Sequence, residues 1–165
     1  MNRLIVLSGV PGSGKSYFTK LLKKKKKTHL YIISSDQLRA SILHNQRDLS
    51  KDALIWEVYY GLVRAYGVDK DAIVVLDSTH AKKMYRLGRL KEFRTAYREI
   101  DLICFQLDKE TILKQNKERK YPIPEEALLK LINEYEMPDT QEQAFFDHID
   151  IVKDHDVDKI LKRYL

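Results

Sequence analysis

A chain of 165 residues fits one domain of ordinary size, and 44% hydrophobic residues are enough to bury a real core. Charged residues make up 33% with both signs mixed, which excludes wholesale disorder; 30 Lys and Arg against 24 Asp and Glu is a modest surplus that suits an anionic ligand without implying nucleic acid. The lone cysteine, Cys104, excludes an internal disulfide and favours a reducing, cytoplasmic setting, and no apolar run reaches the ~20 residues needed to span a bilayer.

In chain order, Leu4–Ser8 is a short β-branched apolar run and is predicted to be a buried strand. A helix is expected from Lys15 to the lysine run Lys23–Lys27, which reads as a solvated, dipole-compatible end. A second strand is expected at Leu30–Ser34, a helix over Gln37–Leu43 capped by Asp36, and a longer helix from Ser50 to about Tyr66 ended by Gly67. Ala72–Leu76 is continuously apolar, as a central parallel strand should be. A helix over about Lys82–Ala96 and a strand at Leu102–Leu107, with Cys104 as a buried inert thiol, come next. Asp108 caps a helix to about Arg119, Pro124 opens another that Pro138 ends, Ile149–Val152 is a weak fifth strand, and Val157–Tyr164 is the last helix. With no repeat and no Gly/Ser/Pro-rich linker, residues 1–165 read as one α/β domain with a parallel sheet.

Four motifs carry chemistry. Gly9-Val10-Pro11-Gly12-Ser13-Gly14-Lys15-Ser16 matches G-x-x-x-x-G-K-S between a predicted strand and a predicted helix. A phosphate-binding loop needs inward N–H groups that glycine permits, a lysine that reaches the β- and γ-phosphates, and a hydroxyl, here Ser16, for Mg²⁺. Ser34-Ser35-Asp36-Gln37-Leu38-Arg39 lies just past the second strand, on the carboxyl side where open α/β sheets bind ligands. Asp36 there is a candidate base for an attacking hydroxyl, and Arg39, one helical turn on, a candidate contact for the reacting phosphate; both are also ordinary helix-start residues. Asp77, after Val74-Val75-Leu76, resembles a Mg²⁺-holding strand-end aspartate, or a support for Arg39 or Ser16; His80 follows as a candidate substrate contact, although a lone histidine is more often structural. Residues 114–126, a basic helix end followed by Tyr121-Pro122-Ile123-Pro124, resemble a lid whose Arg119 closes over phosphates. Arg86, with Arg89 on the same predicted helix face, is a further candidate for the acceptor side, against a plain solvated face. Asp147-His148 and Asp154-His155-Asp156 lack a further ligand at useful spacing, so no metal site is assigned to them.

These residues, in this order, resemble the phage-type polynucleotide 5′-kinases and the zeta-toxin-like P-loop kinases built on the same scaffold, over roughly Leu4 to Val152. The resemblance implies an adenylate-kinase-like P-loop NTPase: a parallel five-stranded sheet of order 2-3-1-4-5, helices on both faces and a short helical lid. It implies an ATP- and Mg²⁺-dependent kinase acting on a hydroxyl, a nucleic acid 5′ end foremost, with small-molecule or sugar-nucleotide acceptors as alternatives; a non-catalytic ATP-binding module is a further alternative of another class. By the same resemblance, Gly9, Pro11, Gly12, Ser13, Gly14, Lys15, Ser16, Thr79 and Arg119 hold the nucleotide. Lys15, Asp36, Arg39 and Arg119 act in the transfer, Asp36, Arg39 and Asp77 form the acceptor side, and Ser16 binds Mg²⁺; His80 and Arg86 as acceptor contacts and Asp77 as a metal ligand rest on the motif readings above. His80 departs from the pattern, since these kinases often carry Asn there.

Overall fold

The computed structural model describes residues 1–153 and 157–165, so Asp154-His155-Asp156 lies outside the described residues. Strand β1 (Arg3–Ser8) carries four consecutive core residues, Leu4, Ile5, Val6 and Leu7, each with no exposed surface. A strand apolar on both faces must be covered on both, which places it in the middle of a parallel sheet. The sheet runs β2 (Leu30–Ser34), β3 (Ile73–Asp77), β1, β4 (Glu99–Phe105), β5 (His148–Val152), every neighbouring pair parallel, so the expected order is the observed one.

Side-chain alternation divides the core in two. Leu4 and Val6 join Val74, Leu76, Leu102 and Cys104 on the face covered by α3 (Asp52–Tyr66) and the 3₁₀ turn Leu90–Phe93. Ile5 and Leu7 join Val75, Ile103 and Phe105 on the other, covered by α1 (Lys15–Lys25) and α8 (Val157–Leu161). Burial pushes the Cys104 thiol up from its ordinary pKa, in keeping with an inert core residue. A third, smaller core of Val10, Leu107, Ile112 and Leu128 joins α5 (Lys109–Lys117) and α6 (Glu125–Asn133) to the phosphate loop. Among the described residues no helix is long and apolar enough to cross a membrane.

Several local expectations need correction. Ser34, not Asp36, caps α2 (Ser35–Leu43), its Oγ accepting from the Gln37 N–H at 3.3 Å. Ser50 caps nothing: its N–H donates to Asp48 Oδ1 in a turn, and α3 begins two residues later. Gly67 does close α3, but at φ −66°; its use there is space, since a Cβ would lie 3.2 Å from the Tyr97 ring. The helix expected over 82–96 breaks into α4 (Lys83–Leu87) and the 3₁₀ turn, because Gly88 interrupts it at a point where a Cβ would stand 2.5 Å from the Met84 carbonyl. Helix α6 stops at Asn133, short of Pro138, as the Glu136 N–H leaves to bond the Ala81 carbonyl at 2.8 Å.

Helix α7 (Thr140–Phe145) was not expected. It opens with a capping box: Asp139 accepts from the Glu142 N–H, and the Glu142 carboxylate accepts from the Asp139 N–H. That same carboxylate pairs two-pronged with Arg86, at 2.5 and 3.0 Å, and neither side chain has any exposed surface. Removing one partner of a buried pair strands the other's charge. Glu142→Ala should therefore lower the free energy of unfolding by about 3–5 kcal/mol, read as a shifted midpoint in urea denaturation.

Candidate nucleotide and acceptor site

Residues 9–16 turn the chain from β1 into α1. The Gly9 N–H bonds the Thr79 carbonyl at 2.9 Å, tying the loop to the segment after β3, and a Cβ on Gly9 would meet Ser13 Oγ at 2.5 Å and Phe105 Cβ at 3.0 Å. Gly12 and Gly14 adopt φ of +83° and +104°, which side-chain-bearing residues rarely adopt. Helix α1 begins with no capping side chain and no acid in its first turn, so its free N–H groups are left for an anion. Ser13 Oγ is buried without a partner among the described residues, and Ser16 is exposed at the loop's end.

Lys15 is the charged group of this loop. Its Nζ donates to the carbonyls of Gly9 (2.6 Å) and Val10 (3.1 Å). Burial lowers its pKa to about 8; the carboxylates of Asp77 and Asp36 act the other way, and the Arg119 guanidinium adds to the lowering. Charges from three residues far apart in sequence thus reach Lys15 at the loop mouth.

The sheet explains the convergence. Ser34, Asp77 and Leu7 occupy one row across β2, β3 and β1, so the residues after them emerge side by side at the carboxyl edge. Asp77 is mostly buried, and desolvation raises its pKa against the pull of Lys15. The Asp36 carboxylate is 63% exposed, and Arg39 Nη1 reaches it at 3.4 Å. Arg39 itself is buried: its Nε and Nη2 donate to Asp52 Oδ1 at 3.1 and 2.7 Å, and its guanidinium lies 5.9 Å from the Trp56 ring centre. Trp56 Nε1 donates to the other Asp52 oxygen at 3.3 Å. Asp52 and Trp56, one turn apart on α3, were missed in the sequence; the signal was an acid and an aromatic at i and i+4 opening a helix.

On the lid side, Asn116 is buried and bonds the Ile123 backbone twice, Nδ2 to the carbonyl at 2.8 Å and Oδ1 from the N–H at 2.9 Å. That clasp closes residues 116–123 into a tight loop and presents Arg119 at its exposed turn. Helix α5 packs against the phosphate loop so closely that a Cβ on Gly12 would meet the Ile112 carbonyl at 3.3 Å. Arg47, between α2 and α3, donates to the carbonyls of Tyr121 and Pro122 at 2.5 and 2.9 Å, bridging the lid to the acceptor side.

Between these elements lies a cleft of about 570 Å³ lined by Asp36, Arg39, Trp56, Thr79, His80 and Tyr85 among others. The expectation that Arg86 faces an acceptor is corrected. Its guanidinium is fully buried and spends its donors on Glu142 and on the carbonyls of His80 and Ala81 (3.1 and 3.2 Å), so it holds the cleft wall from behind. Pairing with Glu142 raises its already high pKa despite desolvation. The Asp147-His148 pair divides between partners: Asp147 binds Arg94 at 2.6 Å, while His148 Nδ1 meets Asp101 at 2.9 Å.

A family model described as chromatin associated protein KTI12 matches residues 2–163. Kti12 of Chaetomium thermophilum, solved in complex with ADP-AlF3, is similar at TM-score 0.63 and 19% identity, covering 97% of this chain and 94% of that one. A putative kinase from Chloroflexus aurantiacus reaches TM-score 0.74 at 12% identity, over 99% and 96% of the two chains. A chain of the Pnkp1/Rnl/Hen1 RNA repair complex reaches 0.69 at 20%, over 88% of this chain and 46% of that one. At these identities the solved structures show a shared fold, that of an α/β P-loop NTPase with kinases among its neighbours. The likeness to polynucleotide kinases therefore holds for the scaffold, whereas the family model spans nearly the whole sequence, and by that match the chain belongs to the KTI12 family.

Proposed function

We propose that this chain is an ATP- and Mg²⁺-dependent phosphotransferase that moves the γ-phosphoryl group to a hydroxyl acceptor in the cleft, the 5′-OH of a polynucleotide foremost. The observation that carries the reading is the meeting of Asp36, Asp77 and Arg119 in the field of the Lys15 ammonium, with the acceptor cleft opening on the Asp36 side. A loop that served only to bind phosphate would not require a carboxylate and a held arginine at the mouth of an adjoining cleft. The C. thermophilum Kti12 complex with ADP-AlF3 supports nucleotide use on this scaffold.

The donor set fits the nucleotide and its metal. The glycine conformations, the orphaned Ser13 hydroxyl and the uncapped helix start suit a polyphosphate, and Pro11 and Thr79 frame the loop beside them. The Ser16 hydroxyl and the Asp77 carboxylate are hard oxygen donors suited to Mg²⁺, directly or through water. Bound there, Mg²⁺ would neutralise charge on the phosphates. Lys15 exchanges its loop carbonyls for phosphate oxygens. Asp36 takes the acceptor's proton as the acceptor oxygen bonds the γ-phosphorus and the bond to the ADP oxygen breaks. Arg39, held by Asp52 and Trp56, positions the acceptor beside Asp36, and Arg119 closes from the lid over the transferred group.

A second reading follows from Arg39. Its Nε and Nη2 are committed to Asp52, which leaves the acceptor side with few free cations and suits a nucleotide-dependent binding module with no acceptor. Labelled ATP offered with 5′-OH oligonucleotides, nucleosides and sugar nucleotides separates the readings. Label on an oligonucleotide supports the first, label on a small acceptor moves it to the small-molecule class, and binding without transfer supports the module.

Two outcomes follow. Asp36→Ala should cut transfer by at least ~10²-fold while leaving the nucleotide Kd unchanged; wild-type turnover in that variant would refute Asp36 as the base. Phosphates favour the charged form of Lys15, whose pKa in the free loop is about 8. Nucleotide affinity should then be level below about pH 8 and fall roughly tenfold per unit above it. Lys15→Met should bind weakly with no such dependence, as measured by calorimetric titration.

A further inference from the structure

His80 is the residue of the cleft wall held most tightly in an unusual conformation. It sits at φ +43°, in the left-handed region, and is 95% buried, being only 5% exposed. A non-glycine residue stays there only when its surroundings fix it. Here they do: the His80 carbonyl accepts from Ser8 Oγ at 2.8 Å and from Arg86 Nη1 at 3.1 Å. The ring is fixed as well. Nδ1 lies 2.8 Å from the Leu7 carbonyl. A carbonyl only accepts, so Nδ1 carries the hydrogen and Nε2 is a bare lone pair. That Nε2 is buried and has no partner among the described residues. Burial, together with the Lys15 and Arg86 charges, holds the ring pKa near 4 although the Leu7 and Ser78 carbonyls favour the protonated form, so the ring is neutral at physiological pH.

Leaving a buried acceptor without a donor is costly, and a ligand hydroxyl that reaches it by a small shift of the cleft wall, which His80 lines, recovers the loss. An anion would face the lone pair and be repelled. The rest of the cleft offers an anion no compensation. Its three cations, Arg39, Lys82 and Arg89, equal its three carboxylates, Asp36, Asp52 and Glu134, in number, and each cation is paired: Arg39 with Asp52 and Asp36, Lys82 with Glu134 at 3.7 Å, and Arg89 with Glu57 and Glu92 from outside the cleft. Trp56 and Tyr85 add flat apolar faces suited to a ring.

We infer that His80 Nε2 accepts a hydrogen bond from a hydroxyl of the phosphate acceptor, and that the group entering the cleft is an uncharged, hydroxylated, ring-bearing one, such as a terminal nucleoside, and not a phosphate or carboxylate. This rests on the phosphotransferase reading for the meaning of the cleft, but the hydrogen bond itself is observable without turnover.

The test uses full-length protein with ¹⁵N-labelled histidine and saturating Mg²⁺ and AMPPNP to fill the donor site. The Nε2 resonance should stand at the unprotonated position from pH 6 to 8 and move upfield on adding adenosine, with a much smaller movement for adenosine 5′-monophosphate. In parallel, His80→Asn keeps a residue tolerant of left-handed φ and restores an acceptor oxygen, whereas His80→Phe keeps the ring and removes the acceptor. Under the acceptor that the wild type labels, the Phe variant should raise the acceptor KM at least tenfold with the ATP KM unchanged, and the Asn variant should stay within a few-fold. A protonated Nε2, no response to adenosine, or an equal response to the monophosphate overturns the inference. So does a Phe variant with an unchanged acceptor KM. Should Nε2 respond as expected while no acceptor is ever phosphorylated, the phosphotransferase reading fails and the hydroxyl-binding site stands.

Discussion

A buried ammonium is the constraint on which the site depends. Lys15 is 9% exposed, and its charge is tolerated because two loop carbonyls take its hydrogens and two carboxylates lie within its field. Each of those partners requires the sheet. The carbonyls belong to a loop that can turn so tightly only with Gly9, Gly12 and Gly14 in place. Asp77 and Asp36 arrive from β3 and from the end of β2, which stand beside β1 only in the order β2-β3-β1. The same desolvation that lowers the lysine raises Asp77, so the two are held in mutual need of a ligand that brings its own charge. A polyphosphate with a divalent cation satisfies both.

Two arginines show how local sequence and tertiary context part company. Arg39 and Arg86 each lie on the first helix after a strand of the sheet, among polar neighbours. Arg39 is fixed at the cleft by Asp52 and Trp56, so it can act on what binds there. Arg86 is turned into the protein by Glu142, 56 residues downstream on the unexpected helix α7. Its effect on the cleft passes through the His80 carbonyl, which it bonds. One arginine is thus a group of the site and the other a support behind it, a distinction that depends wholly on where the two carboxylates fall.

What was legible in the sequence is what short-range physics decides. The apolar runs of β1 and β3, the glycine-lysine loop between a strand and a helix, and the Asp108 cap, whose Oδ1 accepts from the Thr111 N–H at 2.9 Å, all depend on residues within a few positions of one another. The edge of legibility lies where a long-range contact overrides a local signal. Pro138 resembles a helix stop, but α6 ends five residues earlier at Asn133 and Glu136 turns to Ala81; the D-x-x-E box of α7 is present as Asp139 and Glu142, yet its weight comes from Arg86. His80 was the hardest to read. Neither its left-handed backbone nor its fixed tautomer follows from neighbours in sequence, since both are set by Leu7, Ser8 and Arg86.

The charge balance of the cleft sharpens the functional question. The chain carries a net charge of +6, yet the walls of the acceptor cleft carry none, so the surplus lies elsewhere. On the proposed reading, shape, the aromatic faces and the His80 lone pair, not attraction of a polyanion, seat the acceptor's reacting end. The most direct test is the fate of the γ-phosphorus. Phosphorus NMR of ATP turning over with Mg²⁺, the protein and a 5′-OH oligonucleotide should show a phosphate monoester growing in step with ADP. Inorganic phosphate alone, with no ester on that or any other hydroxyl acceptor, would contradict phosphoryl transfer as the function of this site.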